Sequence, residues 1–280
     1  MCRMVLAVGR VRDGETLVGV VKSLVNAASM DPYGREFLNE EQHRDGWGAL
    51  IIGIRDSSVA MLHHRSVKPI FEDNPVGVIG PFLKSLDGVV VMMVHARAAS
   101  TGTPINIFST HPVRAITNGG SELYMVHNGS FSKDLLLKAA DVSEGVASRY
   151  NDTYIANLAL ARRIGNDVGK DDLAWLLNHV RTGANLGVAL ISSDYVSFIA
   201  GSYYRLLNDG RDGVRERYYR IYMCEVGDLT IYASSTVIDH YRPSQLAKDN
   251  CRIIANGEYH KYILHNNGDM EERQVWLLSR

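Results

Sequence analysis

The chain has 280 residues, of which 46% are hydrophobic and 22% are charged. This composition is typical of a globular protein with a sizeable core. Because no Pro-, Gly- or Ser-rich linker divides the chain, we expect a single domain over residues 2–280. The 30 Lys and Arg residues are balanced by 31 Asp and Glu residues, which gives a formal charge of −1. A chain without a basic excess is not expected to bind nucleic acid.

Apolar runs such as the one from Gly88 to Val94 are too short to cross a bilayer, and the N-terminus lacks a secretory signal pattern. We therefore expect a cytoplasmic protein with no membrane partner. The three cysteines, Cys2, Cys224 and Cys251, have neither the number of a disulfide framework nor the spacing of a zinc site. This pattern predicts a reducing compartment, no metal or other cofactor, and inert core thiols at Cys224 and Cys251.

The first half of the chain reads mainly as strands. An apolar run from Met4 to Val8 predicts a strand directly after Cys2, and the stripe from Glu15 to Met30 predicts a helix. Residues 98–120 are rich in Thr, Ser, Pro, Asn and Gly, which is typical of a functional loop. The other predictions here are a hairpin of Trp47 to Ile54 with Val59 to Arg65, a partly helical segment from Val76 to Leu86, and strands at Gly88 to Ala96 and Leu123 to Val126.

Helical patterns follow, and strand patterns then return. Strands, then helices, then strands predict an α+β fold with sheets and helices in separate layers rather than a regular βαβ alternation. The polar segment from Arg205 to Arg217 is expected to be an exposed loop. The predicted helices are Ser132 to Ala140, Asp152 to Ile164 and Leu173 to Val180, and the predicted strands are Leu186 to Ser192, Tyr195 to Ala200, Tyr218 to Val226, Leu229 to Ala233, Cys251 to Ile254 and Gln274 to Leu278.

The position of Cys2 directly behind Met1 is the most informative feature of the sequence. Removal of Met1, which the small size of cysteine favours, would leave a thiol and a free α-amine on the same residue. A cysteine is a strong nucleophile only as the thiolate, and a neutral amine can accept its proton directly or through one water. The ordinary pKa values of the two groups, about 8.5 and about 7.7–8.0, require only modest changes for catalysis near neutrality. By position alone this cysteine could still be an accident.

Further motifs follow Cys2 in a fixed order, and two of them place polar groups at the end of an apolar run. The motifs are Asp45-Gly46-Trp47-Gly48, His95-Ala96-Arg97, Thr110-His111-Pro112, His127-Asn128-Gly129 and Asn151-Asp152-Thr153. Together with Cys2 they resemble the class II glutamine amidotransferase (glutaminase) domain of the N-terminal-nucleophile (Ntn) hydrolases, in its stand-alone form. The resemblance covers Cys2 to Thr153. It implies a four-layer αββα sandwich with two mainly antiparallel sheets.

The resemblance also implies a reaction. Cys2 would attack the side-chain amide of glutamine, release ammonia and form a γ-glutamyl thioester that water then cleaves, with its own α-amine as base and acid. The Asn128 side-chain amide and the Gly129 backbone N–H would form the oxyanion hole. Because Asn-Gly is also a strong hairpin-turn signal, a purely structural turn is the alternative for these two residues.

Two charged residues match the substrate anchors of the family. The planar fork of Arg97 would bind the α-carboxylate of glutamine, although a salt bridge at a strand end is the alternative. Asp152 would bind the α-ammonium group, and it could equally be an N-cap or first-turn carboxylate.

The remaining substrate-binding candidates are Thr110, His111 and His127. Thr110 and His111 would belong to a loop that closes over glutamine, or to a turn with only a structural role. After Arg97, many family members have an aromatic residue followed by Ala-Thr, whereas this chain has 98–100 as Ala-Ala-Ser. Because of this difference, the resemblance does not predict how the loop closes over glutamine.

Three functions follow from the sequence. The first is a glutaminase, and because we expect too little room in this chain for a synthase domain, either a separate synthase subunit receives the ammonia or free hydrolysis is the activity. The second is an Ntn hydrolase of another γ-glutamyl amide or a small peptide. The third is a catalytically silent module that binds glutamine or a partner protein. A homo-oligomer is compatible with all three.

Overall fold

The computed structural model describes residues 2–12 and 14–278. Met1, whose removal is predicted above, lies outside the described part, and so do the last two residues of the expected domain. The helices, in chain order, are α1 (Glu15–Ser29), α2 (Pro32–Leu38), α3 (Pro75–Lys84), α4 (Lys133–Ala140), α5 (Glu144–Ala147), α6 (Asp152–Arg163), α7 (Lys170–Leu177), α8 (Asp212–Tyr219) and α9 (Ser235–Tyr241). The strands are β1 (Arg3–Val11), β2 (Trp47–Arg55), β3 (Ser58–Ser66), β4 (Gly88–Ala96), β5 (Val113–Ile116), β6 (Glu122–Phe131), β7 (Val180–Ile191), β8 (Tyr195–Ser202), β9 (Ile221–Val226), β10 (Leu229–Ser234), β11 (Cys251–Ile253), β12 (Glu258–His265) and β13 (Gln274–Leu277).

These strands form two sheets. One has seven strands in the order β11-β9-β10-β1-β4-β2-β3, and the other has six in the order β13-β12-β8-β7-β6-β5. All pairings between the named strands are antiparallel. The N-terminal strand β1 lies inside the first sheet, between β10 and β4, so the residues next to Cys2 are held on both sides.

The side chains of β1 show how the layers are stacked. Successive residues of a strand face opposite sides of the sheet. Val5 and Ala7 pack in a core with helix α1, whereas Met4 and Leu6 pack in a second core with residues of the other sheet. A third core joins the second sheet to α4, α6 and α7. The order is therefore helix, sheet, sheet, helix, which confirms the predicted α+β class and the αββα sandwich.

The central strands are continuously apolar because both of their faces are buried. All nine residues of β4 except the first are buried, and eight of the nine residues of β2 are buried. Such runs are recognised easily in a sequence. Among residues 2–12 and 14–278, every helix is too short or too polar to span a bilayer.

Some sequence predictions fail where tertiary contacts override local propensity. Tyr218 and Tyr219 end helix α8 instead of beginning a strand, and the predicted loop at 205–217 contains most of that helix. Both tyrosines are fully buried in an aromatic cluster with Phe37, and this packing outweighs the strand preference of tyrosine. Val180 begins β7 instead of ending a helix. The sequence predictions also omit α2, α5, α9, β5 and β12.

The prediction for Cys224 and Cys251 is wrong. The two residues form a disulfide between directly opposed positions of β9 and β11. They are 27 positions apart, and only the pairing of the two strands brings them together. Within the described residues, Cys2 is the one free cysteine. The expectation of a reducing compartment rested on the absence of a cysteine pair, so the disulfide removes that basis.

Candidate active site

Cys2 is held at the start of β1 by contacts from two distant segments. Its backbone nitrogen donates a hydrogen bond to Oδ1 of Asn128 at 3.0 Å. Its side chain is buried, with Sγ 3.8 Å from the carbonyl oxygen of Ala98. The nitrogen that removal of Met1 would convert into an α-amine therefore already lies beside Asn128.

The ends of strands from both sheets meet at this point. In the β1–β4 pairing, Arg3 lies opposite Ala96, so the chain around Cys2 runs beside the residues that follow β4, beginning with Arg97. Asn128 comes from β6 of the other sheet. The sandwich thus brings together Cys2, Arg97 and Asn128, three of the predicted site residues that are far apart in sequence.

Asn128 and Gly129 lie within a strand and not in a hairpin turn. They pair with Asn185 and Ala184 of β7, and the register shifts immediately after Gly129. Gly129 has φ of +147°, and a Cβ at this position would lie 1.8 Å from the carbonyl oxygen of Gly183. Only glycine fits this backbone conformation and this close approach. The structural alternative of a simple turn does not describe these residues.

Only one of the two polar atoms in the Asn128 side-chain amide has a hydrogen-bond partner among the described residues. Its oxygen accepts the hydrogen bond from Cys2, but its buried Nδ2 has no hydrogen-bond partner among the described residues. A buried donor without a partner is costly, and such groups are rare outside functional sites. Nδ2 is therefore available to stabilise negative charge that develops next to Cys2.

Arg97 is almost fully buried and its fork is bonded to carbonyl groups. Nη2 donates to the Pro104 carbonyl at 2.9 Å, and Nη1 lies 3.4 Å from the Asp45 carbonyl. No carboxylate forms an ion pair with Arg97 in the described part of the chain, so the salt-bridge alternative is not supported. Burial lowers the pKa of the guanidinium, but the group stays charged at neutral pH.

Asp152 is the first residue of α6, and Asn151 provides the N-cap. The Asn151 side chain accepts a hydrogen bond from the Tyr154 N–H, as expected for a cap. Asp152 Oδ2 accepts instead from the Phe131 N–H at 2.6 Å, which ties the start of α6 to the end of β6. Asp152 is thus a first-turn carboxylate near Gly129, and it is only partly buried.

His127 is buried. Its Nδ1 lies 2.9 Å from Thr153 Oγ1 and its Nε2 lies 3.0 Å from the Gly183 carbonyl. Both ring nitrogens are therefore engaged, and the ring fixes β6 against α6 and β7. Burial lowers the pKa of His127. These contacts suit a residue that positions Asn128 and Gly129 better than one that touches substrate.

Thr110 and His111 connect the loop after β4 to the same framework. Thr110 Oγ1 donates to the Asn106 carbonyl at 3.0 Å. His111 Nδ1 lies 3.1 Å from His95 Nε2, and its Nε2 lies 3.0 Å from Asn151 Nδ2. Burial lowers the pKa of His111 well below its ordinary value and that of His95 to about 3. Neutral, hydrogen-bonded rings at these positions make a rigid support for the loop.

The thiol of Cys2 needs a base. Burial raises the pKa of the Cys2 thiol, and the hydrogen bond to the Ala98 carbonyl and the positive charge of Arg97 only partly oppose this effect. The thiol is therefore protonated at neutral pH. After removal of Met1, the α-amine of Cys2 itself is the candidate that would accept this proton, and its nitrogen already contacts Asn128 Oδ1.

Sequence reasoning missed a buried polar network directly behind Cys2. Arg3 is fully buried and forms two hydrogen bonds with Asp31, Nε to Oδ2 at 2.6 Å and Nη2 to Oδ1 at 3.0 Å. Asp31 also accepts from Thr236 Oγ1 at 2.6 Å and lies 2.8 Å from His43 Nε2. His43 thus belongs to this network. An arginine flanked by apolar residues at the start of a central strand was the available signal.

Tyr218 links this network to the nucleophile. The Arg3 guanidinium donates to the Tyr218 carbonyl at 2.7 Å and stacks 4.0 Å above the Tyr218 ring. The Tyr218 hydroxyl lies 3.5 Å from the Cys2 carbonyl. Helix α8 therefore closes the site from the C-terminal half of the chain.

Comparison with family models and with curated proteins finds no match to this chain. Solved structures do match over 99% of the chain. One is a glutamine phosphoribosylpyrophosphate (PRPP) amidotransferase from B. subtilis complexed with ADP and GMP, with a TM-score of 0.57 and 15% identity. Another, described as the allosteric regulatory enzyme of purine biosynthesis, has a TM-score of 0.53 and 16% identity.

The chain spans 49% of each of these two structures, so the likeness concerns about half of them. At such low identity the likeness establishes the fold and leaves the activity to be argued from the site. The two antiparallel sheets, the flanking helices and Cys2 at the start of a central strand agree with it. This chain therefore has the Ntn-hydrolase sandwich fold of the class II glutamine amidotransferases.

Proposed function

We propose that this protein is a glutaminase of the glutamine amidotransferase type, with Cys2 as its nucleophile. The observation that carries the proposal is the contact of Asn128 with Cys2: its oxygen holds the Cys2 nitrogen at 3.0 Å, while its buried Nδ2 has no partner among the described residues. One side chain thereby orients the base and offers a hydrogen-bond donor next to the nucleophile.

Removal of Met1, which occurs once and before catalysis, frees the α-amine of Cys2. The neutral amine takes the thiol proton, and the thiolate attacks the side-chain carbonyl carbon of glutamine. The C–N bond then breaks, the α-amine passes its proton to the leaving ammonia, and a γ-glutamyl thioester remains. Water, deprotonated by the same amine, cleaves the C–S bond and gives glutamate.

The other residues position the substrate. Asn128 Nδ2 and the Gly129 N–H stabilise the oxyanion, Arg97 binds the α-carboxylate and Asp152 binds the α-ammonium group. Arg97 must then exchange at least one carbonyl contact for the substrate carboxylate, which couples binding to the loop that contains Pro104. His127, Thr110 and His111 act through the framework that holds β6 and this loop in place.

Glutamine is the proposed substrate, and a separate synthase subunit is the proposed acceptor of ammonia. Glutaminase activity in the absence of the acceptor is then expected to be low if loop closure depends on the acceptor.

The proposal is tested by mass spectrometry and activity on the same preparation. Intact mass shows whether Met1 is removed, and 6-diazo-5-oxo-norleucine, a reactive glutamine analogue, is expected to label Cys2 alone. Glutamine should yield glutamate and ammonia in equal amounts, and Cys2→Ala should abolish both labelling and turnover. A wild type that retains Met1, takes no label and shows no turnover would instead favour the silent binding module.

A further inference from the structure

Three hydroxyl groups form a chain of hydrogen bonds beside the proposed oxyanion hole. The Tyr219 hydroxyl donates to Thr182 Oγ1 at 3.1 Å, and Thr182 Oγ1 lies 2.9 Å from Ser130 Oγ. Tyr219 is fully buried, whereas Thr182 and Ser130 are partly exposed. The chain therefore runs outward from the interior of the protein and ends at Ser130, the residue that follows Gly129.

Ser130 lies on the same side of β6 as Asn128. Met125 and Phe131 of this strand pack in the core with the helices, whereas Val126 packs in the core between the two sheets. Because Phe131 still follows this alternation, the register shift between β6 and β7 leaves the alternation of β6 intact. Ser130, two residues after Asn128, therefore faces the same side as the amide that contacts the proposed nucleophile.

Asp152 brings a negative charge to the same place. Its Oδ2 accepts a hydrogen bond at 2.6 Å from the Phe131 N–H, which belongs to the peptide group between Ser130 and Phe131. Burial and, to a smaller extent, the charge of Asp152 raise the pKa of the Cys2 thiol, so this carboxylate is within electrostatic range of the nucleophile. A carboxylate and a hydroxyl oxygen thus lie beside the same peptide group, close to the thiol.

The direction of the hydroxyl chain determines what Ser130 offers to a ligand. A hydroxyl has one proton and two lone pairs. Burial raises the pKa of Tyr219, so its hydroxyl keeps its proton at neutral pH and donates it to Thr182. Thr182 can then donate its own proton to Ser130. In this order Ser130 Oγ uses one lone pair for Thr182 and retains the second for a donor on the ligand.

We propose that Ser130 binds the α-ammonium group of the substrate together with Asp152, and that Thr182 and Tyr219 orient its hydroxyl. The inference rests on the proposed function, because it uses the same substrate and the same ammonium anchor. An ammonium group has three N–H donors, so a carboxylate and a hydroxyl oxygen can bind it at the same time. A site built to hydrogen-bond this group rejects an amide that lacks it, because its own polar groups are then left without a partner.

The test compares L-glutamine with glutaramate, which is the same molecule without the α-amino group. Isothermal titration calorimetry gives a dissociation constant for each ligand in the full-length Cys2→Ala protein, which serves as the parent because it has no turnover. We expect Ser130→Ala to weaken glutamine binding about 10- to 100-fold, the effect of losing a hydrogen bond to a charged group, and to leave glutaramate binding unchanged. Thr182→Val and Tyr219→Phe each remove one hydroxyl with little change of shape, and they should weaken glutamine binding about 2- to 10-fold.

Tyr204→Phe is the matched control. The Tyr204 ring stacks on Tyr219 with 5.9 Å between the ring centroids, but its hydroxyl is not part of the chain that leads to Ser130. This variant should bind both ligands as the parent protein does. If Ser130→Ala does not fold, the same comparison of the two ligands in Thr182→Val and Tyr219→Phe decides the question.

Three results would overturn the inference. The first is an equal weakening of glutamine and glutaramate binding in Ser130→Ala, as expected for a hydroxyl with only a structural role. The second is a Ser130→Ala protein that binds glutamine as tightly as the parent, and the third is a parent that does not bind glutamine.

Turnover and labelling of the wild type decide the proposed function separately. If the wild type hydrolyses glutamine and Ser130→Ala weakens both ligands equally, the glutaminase proposal survives and the inference fails. If glutamine binding shows the expected dependence on Ser130 but Cys2 takes no label and no glutamate forms, the glutaminase proposal fails and the ammonium site remains.

Discussion

The guanidinium of Arg3 and the carboxylate of Asp31 form a fully buried ion pair, with 2.6 Å between Nε and Oδ2. Arg3 directly follows the proposed nucleophile, and Asp31 lies between helices α1 and α2. Burying two charges is expensive, and the attraction between them offsets this cost only when the remaining hydrogen bonds are satisfied. Here Thr236, His43 and the Tyr218 carbonyl satisfy them. The pair therefore fixes the backbone next to Cys2 at the junction of several elements.

Removing one partner of this pair should be strongly destabilising. Arg3→Met or Asp31→Asn is expected to lower the free energy of unfolding by about 3–5 kcal/mol, because an uncompensated polar group remains buried. The double variant should lose less than the sum of the two single losses. Denaturant titration of all four proteins measures this coupling.

The control for this cycle is an exposed ion pair. Arg55 lies 2.9 Å from Asp87, and the two side chains are 62% and 51% exposed. Arg55→Ala should change the free energy of unfolding by no more than about 1 kcal/mol. If Arg55→Ala and Arg3→Met lower the free energy of unfolding by similar amounts, the buried pair stabilises the fold no more than an exposed pair does, which would contradict this prediction.

Stability should fall as the pH is lowered below about 6.5, the ordinary pKa of histidine. Burial lowers the pKa of His95 to about 3. The unfolded chain therefore takes up a proton on this histidine first, and folded-state stability, complete above about pH 6.5, is lost by up to about 1.4 kcal/mol per pH unit down to the folded-state pKa. Urea titrations at several pH values between 7.5 and 4 measure the slope.

His95→Gln serves as the comparison for this pH dependence. The free energy of unfolding of this variant should decline less steeply between pH 6.5 and 4, since one group that titrates only in the unfolded state in this range has been removed. Burial also lowers the pKa values of six other histidines, which contribute the remainder of the slope: His43, His63, His64, His111, His127 and His260. An identical slope in wild type and variant would show that His95 is accessible to protons in the folded protein.

Loss of the Asn128 side chain should affect catalysis more than folding. Asn128→Ala removes the donor Nδ2 and the acceptor that holds the Cys2 nitrogen. We expect kcat for glutamine to fall about 10²- to 10³-fold or more, as for loss of an oxyanion-hole donor. Asn128→Asp retains an acceptor for the Cys2 nitrogen but lacks the donor, so it should also be impaired. A kcat within a few fold of wild type in Asn128→Ala would argue against the proposed oxyanion hole.

Gly129→Ala should disturb both the strand and the site. The new Cβ would lie 1.8 Å from the Gly183 carbonyl oxygen, so β6 and β7 would have to separate locally. Gly145 is a suitable control because a Cβ there meets no atom within 4 Å. We expect Gly129→Ala to lower both thermal stability and kcat, whereas Gly145→Ala, which lies in helix α5, should lower neither.

The disulfide should contribute to stability without contributing to catalysis. Cys224 and Cys251 close a loop with a sequence separation of 27, for which the chain-entropy model gives about 3–4 kcal/mol. Replacing both with alanine should lower the melting temperature and leave kcat unchanged. Dithiothreitol should reproduce the shift in wild type and have no effect on the double variant. A melting temperature that does not respond to either treatment would contradict this contribution.

The sequence by itself determined the class of the fold and most of the proposed site. Cys2 before an apolar strand, Arg97 after another and Asn128-Gly129 near the end of a third could be recognised because buried central strands are continuously apolar and end in polar residues. Helix α1 followed in the same way from its apolar stripe. Local pattern was sufficient wherever a segment's own residues dictated both its conformation and its burial.

Only the tertiary structure decided which distant groups meet. The Cys2–Asn128 contact spans 126 positions and the Arg3–Tyr218 contact spans 215. Nothing in the sequence around Tyr218 shows that it ends a helix against Arg3, and nothing around Cys251 shows that it faces Cys224. Such contacts depend on the order and register of strands, which arise from the packing of the whole chain rather than from the preferences of any one segment.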